Sequence, residues 1–413
     1  MGRTVRKSWA LYRKGIKHLA CGSSTLSKVP RLAKSEPAAV VRGRGCRVWD
    51  ADGNEYIDFR NGLGPVTLGY CVPEIDQAIT EQLRSGIVFG HPHPLEAEVA
   101  GLLTEVVPCA QKVRFLKTGG EAIAACLKIA RRATGRDTIV HCGYNGWLSN
   151  LGRGGQRPAG LADSQVELGF PQALQRCHLR LPWGELRTWE KIFRQRGPRI
   201  AAAVVACDYA EIEQGWEFLP ALRKLTRQHG ALLIMDEIVT GFRLAIGGAH
   251  EYFHFDPDLA VFAKGIANGM PLAAYLGRAD LLDSAGELGI SSTYGGETLS
   301  LAAARAAIVF YKEKQVIEHL WRAGRQFVEG ANRLLRSRGL TAALRGAAVC
   351  PVFSFGSAEL AADFFGACYR HGVSLYDLPY VNWSHKDRDI AEALERIEQA
   401  VHEMLARRIA RGG

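Results

Sequence analysis

Five short, largely apolar runs rich in β-branched residues recur through the middle of the chain, at 113–116, 138–141, 200–206, 231–235 and 259–262, with helical spacing between them. Strands that are apolar on both faces and joined by helices pack as a parallel sheet covered on each side. The pattern therefore predicts an α/β domain. One of the intervening helices, around 218–229, has Gly230 at its end, where glycine relieves the left-handed turn that closes a helix. Ahead of the sheet, Ile75, Ile79 and Leu83, and then Leu95, Val99, Leu102, Leu103 and Val106, form two amphipathic helical stripes.

The flanks read differently. Large apolar residues lie on both sides of Asp52-Gly53-Asn54 in the segment Arg47 to Phe59, a β-hairpin pattern with turn residues that tolerate positive φ. After an alanine-rich helix beyond Thr298 come a long helix at 316–335, a strand at 349–355, a helix at 358–370 and a last helix at 388–405, an α+β arrangement. The expected organisation is thus a basic N-terminal arm and the start of a small domain over 1–60, a large domain over 61–310, and the rest of the small domain over 311–413. Residues 149–184 are rich in Gly, Pro and Arg without sustained periodicity, as expected of a lid or binding loop.

The chain carries 52 Lys and Arg against 42 Asp and Glu, but the excess is local. Residues 1–47 hold twelve of the cations and the single acid Glu36, which leaves the remainder close to neutral. The arm has no regularly interleaved aromatics and no nucleic-acid module, so no nucleic-acid partner is expected. The ten cysteines are scattered with no Cys-x-x-Cys, which gives neither zinc-ligand spacing nor a disulfide framework; reduced thiols and no metal are expected. The start Met1-Gly2-Arg3-Thr4-Val5-Arg6-Lys7 lacks the apolar run of a secretory signal, and no stretch is apolar for long enough to span a bilayer. A cytoplasmic protein is expected.

Five places carry chemical potential. In Leu116-Lys117-Thr118-Gly119-Gly120-Glu121, a strand feeds two glycines and then a helix, whose first N–H groups can bind a phosphate; taken alone, such a Gly-Gly is also an ordinary turn. Gly143-Tyr144-Asn145-Gly146-Trp147 sets an aromatic between glycines after a second strand, able to stack on a planar ligand. Asp236 closes the buried run Leu232 to Met235, where ligands bind in open parallel sheets, although a helix-capping aspartate has the same appearance. Lys264 follows Leu259-Ala260-Val261-Phe262-Ala263 and precedes Gly265, a placement that suits a desolvated amine able to form a Schiff base. Ser291 to Glu297 is a hydroxyl- and glycine-rich turn before a helix.

In this order, these features resemble the class III aminotransferases, pyridoxal-phosphate enzymes of fold type I, from about Val41 to the C-terminus. Within that class the chain is most similar to the glutamate-1-semialdehyde aminomutase group, and Arg47 to Asp58, Asp236 to Arg243 and Lys264 to Pro271 carry the likeness. The resemblance implies pyridoxal 5′-phosphate as cofactor, with Lys264 as its Schiff-base lysine and proton shuttle and Asp236 holding the pyridine nitrogen protonated. It places Tyr144 and Ile238 on opposite faces of the ring, with Ile238 expected on the strand two residues beyond Asp236 and so on the same side. Gly119 and Gly120 would offer N–H groups to the phosphate, and Thr293 would reach the phosphate of a neighbouring subunit, which implies a homodimer with shared sites.

Three departures concern the cofactor and substrate side. Gly120 stands where the family usually has Ser or Thr, Asn145 replaces the histidine of a Tyr-His-Gly triplet, and Asp208-Tyr209 replaces a Glu-Pro pair. On the arm, Lys28 occupies the position of a carboxylate-binding arginine and lacks the bidentate fork. Lys28 and Asn145 are the candidate substrate contacts, and a carbonyl substrate other than glutamate semialdehyde, such as a keto sugar or natural-product intermediate, is expected. The leading expectation is amino transfer between an amino acid donor and a small carbonyl acceptor. The alternatives are a 2,1-aminomutase, a decarboxylase or epimerase using the same cofactor, or a scaffold without catalysis.

Overall fold

The computed structural model describes residues 3–30, 34–148 and 169–412. The strands in chain order are β1 (Val40–Arg44), β2 (Arg47–Asp50), β3 (Glu55–Asp58), β4 (Lys112–Leu116), β5 (Thr138–Cys142), β6 (His178–Arg180), β7 (Ile200–Val205), β8 (Leu232–Asp236), β9 (Leu259–Phe262), β10 (Ala273–Gly277), β11 (Ala342–Arg345), β12 (Val352–Phe355) and β13 (Val373–Ser374). The chain divides into two compact units, 73–317 and the combination of 1–72 with 318–413. The divisions fall at Val72 and Ile317, where 60 and 310 were expected.

In the unit 73–317, seven strands form one sheet in the order β4-β10-β9-β8-β7-β5-β6. The pairs from β9 through β6 are parallel, and β10 runs antiparallel to both β9 and β4. Every residue of β7, β8, β9 and β10 is buried, as expected of strands covered on both faces. The helix Gly119–Thr134 starts in a reciprocal capping box between Thr118 and Glu121 and stops at Gly135, which takes φ +65°. Its Ile123, Leu127 and Ile129 are fully buried in the core, each contributing about 1.5–3 kcal/mol.

Two strands of this sheet, β6 and β10, went unread in the sequence. Strand β10 is short and alanine-rich. Strand β6 has only three residues, and its place comes from backbone pairing with Ile139 to His141 of β5 rather than from its own pattern. Strand β6 and the helix Gln172–Arg176 also correct the expectation of an irregular segment at 149–184 for its described part. Residues 149–168 of that segment lie outside the described residues.

The other unit contains a four-stranded sheet in the order β1-β2-β3-β13 and a β11–β12 pair. The β2–β3 hairpin turns through Gly53 at φ +89°, a conformation that the turn residues Asp52-Gly53-Asn54 tolerate. The arm is not all extended: Arg6–Gly15 is helical, and the backbone N–H groups of Lys7 and Ser8 are held by the Asp52 carboxylate at 3.0 and 2.8 Å. No described helix is long and apolar enough to cross a membrane.

Candidate active site

Strands β8 and β9 are parallel neighbours, and each delivers one charged residue at its carboxyl end. Asp236 is the last residue of β8 and is 4% exposed. Its Oδ1 accepts the Ile238 N–H at 3.1 Å and its Oδ2 accepts Asn145 Nδ2 at 3.2 Å. Burial pushes its carboxyl up to about 7, against the opposing pull of those two donors and of Lys264. Ile238 therefore lies past the end of the strand, in a turn, which corrects the expectation that it continues β8. Its N–H bends back to the acid, and an extended continuation would carry that donor away.

Lys264 follows β9 and opens a single turn, Lys264–Ala267, with φ at +46°. A non-glycine residue in the left-handed region costs about 1–2 kcal/mol, and such strain gathers where a side chain must be aimed. Desolvation lowers its ammonium to about 8, Asp236 opposes the shift, and Arg243 adds to it. A desolvated amine of this kind spends an appreciable fraction of its time neutral near pH 7–8, as a nucleophile toward a carbonyl requires.

The anion end of the site is built from backbone. The capping box occupies the N–H groups of Thr118 and Glu121 and leaves those of Gly119 and Gly120 among the orphan donors at the helix start. Gly119 leaves room for Ile238, whose side chain would have to shift to admit a Cβ there. Gly120 is less constrained: a Cβ would meet Leu148 Cδ1 at 3.3 Å, so a small side chain fits after a slight shift. Tyr144 is 49% exposed, whereas Asn145 is buried and committed to Asp236, with its Oδ1 left as a buried acceptor without a partner.

Two expected residues are not joined to this cluster by any described contact. Thr293 is exposed on the turn before the helix Thr298–Glu313. Lys28 is exposed in the turn Leu26–Lys28 of the other unit.

Two supporting networks escaped the sequence reading. Glu237 is fully buried; its carboxylate accepts N–H groups of Ala249 at 2.7 Å and His250 at 2.9 Å, takes the Thr240 hydroxyl, and lies 3.0 Å from His250 Nδ1. Burial opposes the charge on His250, but hydrogen bonds with Cys109 and Glu237 reverse this and raise it to about 10. The turn that follows Asp236 is thereby pinned. Lys117, the residue after β4, pairs at 2.8 Å with Glu297, which caps the helix Thr298–Glu313.

The donor set fits pyridoxal phosphate: orphan N–H groups for a phosphate, a buried acid with no salt-bridge cation among the described residues for a pyridinium, and a desolvated lysine for the aldehyde carbon. A mostly parallel sheet bearing this set at its carboxyl ends defines a fold type I pyridoxal-phosphate-dependent enzyme. The chain belongs to the class III aminotransferases, whose family model, "Aminotransferase class-III", matches residues 29–401. It is 31% identical to glutamate-1-semialdehyde 2,1-aminomutase of Aquifex aeolicus, over 96% of this chain and 100% of that one. The enzyme of the same description from Persephonella marina is 30% identical over 97% and 100%. Among solved structures, the FumI protein of Sphingopyxis sp. MTA144 in its PLP internal aldimine form superposes with a TM-score of 0.88 at 25% identity, over 97% of each chain. A transaminase with PLP bound gives a TM-score of 0.87 at 25% identity, over 98% of this chain and 99% of that one. Members of the family act on small-molecule amino and keto substrates.

Proposed function

We propose that the enzyme moves an amino group from an amino acid donor to a carbonyl acceptor, with Lys264 and Asp236 as catalytic residues. The observation that carries this reading is the pairing of a desolvated amine and a buried acid at the ends of adjacent strands β8 and β9.

When bound, the cofactor supplies an electron sink for negative charge developing at the substrate Cα. The rest falls to the chain. Gly119 and Gly120 hold the phosphate through backbone N–H groups, and Tyr144 and Ile238 enclose the ring. Asp236, kept in place by Asn145 and the Ile238 N–H, keeps the pyridine nitrogen protonated. Lys264 would hold the cofactor through its side-chain amine, and that amine, when free, would take the proton from the substrate Cα and return it. The acceptor is a keto sugar or natural-product intermediate rather than glutamate semialdehyde, a reading supported by the replacement of a carboxylate-binding arginine by Lys28, which lacks the bidentate fork.

A second reading has specific support: the curated relatives at 30–31% identity are glutamate-1-semialdehyde 2,1-aminomutases. The two separate cleanly in a half-reaction. A transaminase mixed with its amino donor loses its yellow colour and releases the matching keto acid, stoichiometric with enzyme. An aminomutase instead converts glutamate-1-semialdehyde to 5-aminolevulinate with no keto acid released. Colour loss with keto acid from at least one donor of a broad panel is the expected result; its absence, with 5-aminolevulinate formed, transfers the assignment to the aminomutase.

A homodimer with shared sites is part of the proposal. Ile87, Val88, Phe89 and Tyr294 are exposed apolar residues, and the Thr298 N–H to Ile87 carbonyl bond at 2.9 Å ties the first three to the segment that bears Thr293. Burial of such a patch against a second copy brings Thr293 of one subunit to the phosphate of the other. Mixed Lys264→Ala and Thr293→Ala subunits should regain up to about a quarter of wild-type activity, because random pairing makes half of the dimers mixed and gives each one intact site. An active monomer in sedimentation contradicts the sharing.

A further inference from the structure

The basic arm has only Lys28 in the proposed reaction, yet the structure gives other arm cations a common destination. Within the unit formed by 1–72 and 318–413, a cavity of about 590 Å³ opens between the first residues of the arm, the helix Ala358–Arg370 and the helix Asp387–Gly412. Arg3, Arg6 and Lys34 line it from the arm, Arg370, Arg407 and Arg408 from the helices, and Asp363 is the one acid in the lining among the described residues.

The two sets of cations differ in how their charge is met. On the helices, Arg408 Nε lies 2.9 Å from Asp363, and the Nε atoms of Arg370 and Arg407 share Glu403 at 2.7 Å each. Among the described residues, Arg3, Arg6 and Lys34 pair with no carboxylate. Arg3 is not a freely solvated surface cation. Its Nη1 donates to the Arg370 carbonyl at 3.2 Å, its guanidinium lies 5.7 Å from the Tyr56 ring centroid, and the absence of a Cβ at Gly372 makes room for it. Burial, and then repulsion from Arg396, hold its pKa below the usual value, against the opposing pull of Tyr56, Glu55 and Asp50. Met404 and Val5 add apolar surface to the lining.

We propose that this cavity binds a small organic phosphate or polyphosphate, whose charged oxygens are taken by Arg3, Arg6 and Lys34 while its organic part rests on Met404 and Val5. Guanidinium forks match phosphate oxygens two at a time, and a lysine adds a point charge. The volume lies in the range of small-molecule sites. Three cations in the lining of one space favour a ligand with more than one negative group.

The test uses full-length holoenzyme whose cofactor has been fixed by borohydride and freed of excess by desalting, so that the catalytic phosphate cradle is filled. Titration with inorganic pyrophosphate at constant ionic strength is followed by calorimetry. Saturable binding of one pyrophosphate per chain is expected, with sulfate much weaker. The Arg3→Ala, Lys34→Ala double variant should bind about tenfold more weakly with unchanged cofactor absorbance. If that variant melts at a lower temperature, the exposed Arg6→Ala and Lys34→Ala single variants are read instead, each about threefold weaker. No saturable binding, equal binding by these variants, or sulfate binding as well as pyrophosphate overturns the proposal. So does random-sequence duplex DNA that binds more tightly with the same dependence on Arg3, which would make the surface a nucleic-acid site.

Discussion

Lys264→Ala should still take up pyridoxal phosphate through the Gly119 and Gly120 N–H groups and Asp236, yet turn over at least about 10³-fold more slowly, since a positioned acid–base group contributes about 10²–10⁴. The expectation follows from geometry as well as chemistry. The left-handed backbone at Lys264 aims one amine from the end of β9 into the region of Asp236, and no second lysine among the described residues stands at the carboxyl end of β8 or β9. Single-turnover rates of Cα deprotonation, measured on cofactor-loaded variant with a reactive amino donor, check it. Added methylamine should restore part of the rate, because the missing function is a base of amine type. A variant within tenfold of wild type would remove Lys264 from the chemistry.

Asp236→Asn should lower the deprotonation rate by about 10²–10³, the usual cost of removing one preorganised electrostatic partner. The amide fills the same space between Asn145 and the Ile238 N–H but cannot stabilise a protonated pyridine nitrogen. The substitution also has a signature without cofactor. In the apo protein burial raises the Asp236 carboxyl from its usual 3.8 to about 7. A native carboxyl that holds its proton more tightly than the unfolded chain makes the apo protein lose stability as pH climbs from about 4 to about 7. Asp236→Asn removes that slope, so the apo variant should melt above apo wild type at pH 8 and much closer to it at pH 4. Bound cofactor meets the same acid with a cation, so the holo wild type should instead be more stable than the holo variant at pH 8. Identical melting profiles for the two apo proteins would show that Asp236 is not ionised in a desolvated place.

What the sequence revealed, and what it hid, follows from range. Asp236 and Lys264 were legible because each is a charge at the end of an uninterrupted apolar strand, a conflict visible within a few residues. The sheet was legible for the same reason. Ile238 was misplaced because alternation along a strand assumes that the strand continues, and a single N–H to Oδ1 bond decides that it does not. Asn145 was read as a departure from a family triplet and assigned to substrate. Its partner Asp236 is 91 positions away, and only the fold reveals that its amide is spent on the acid. Glu237 beside Asp236 carries no sequence signal of its own, yet it is the fully buried hub for Thr240, Ala249 and His250. Strand β6, with three residues, has no period to read and exists because β5 offers it an edge.

One chemical measurement bears on the central assignment most directly. Reduction of the freshly purified yellow protein with borohydride makes the lysine–cofactor bond permanent, and proteolysis followed by mass spectrometry locates the added pyridoxyl phosphate group. One equivalent per chain on Lys264, in the peptide that continues into Gly265-Ile266-Ala267-Asn268, is the predicted result. A stoichiometric tag on any other lysine, or a protein that carries no reducible cofactor after reconstitution, would contradict it.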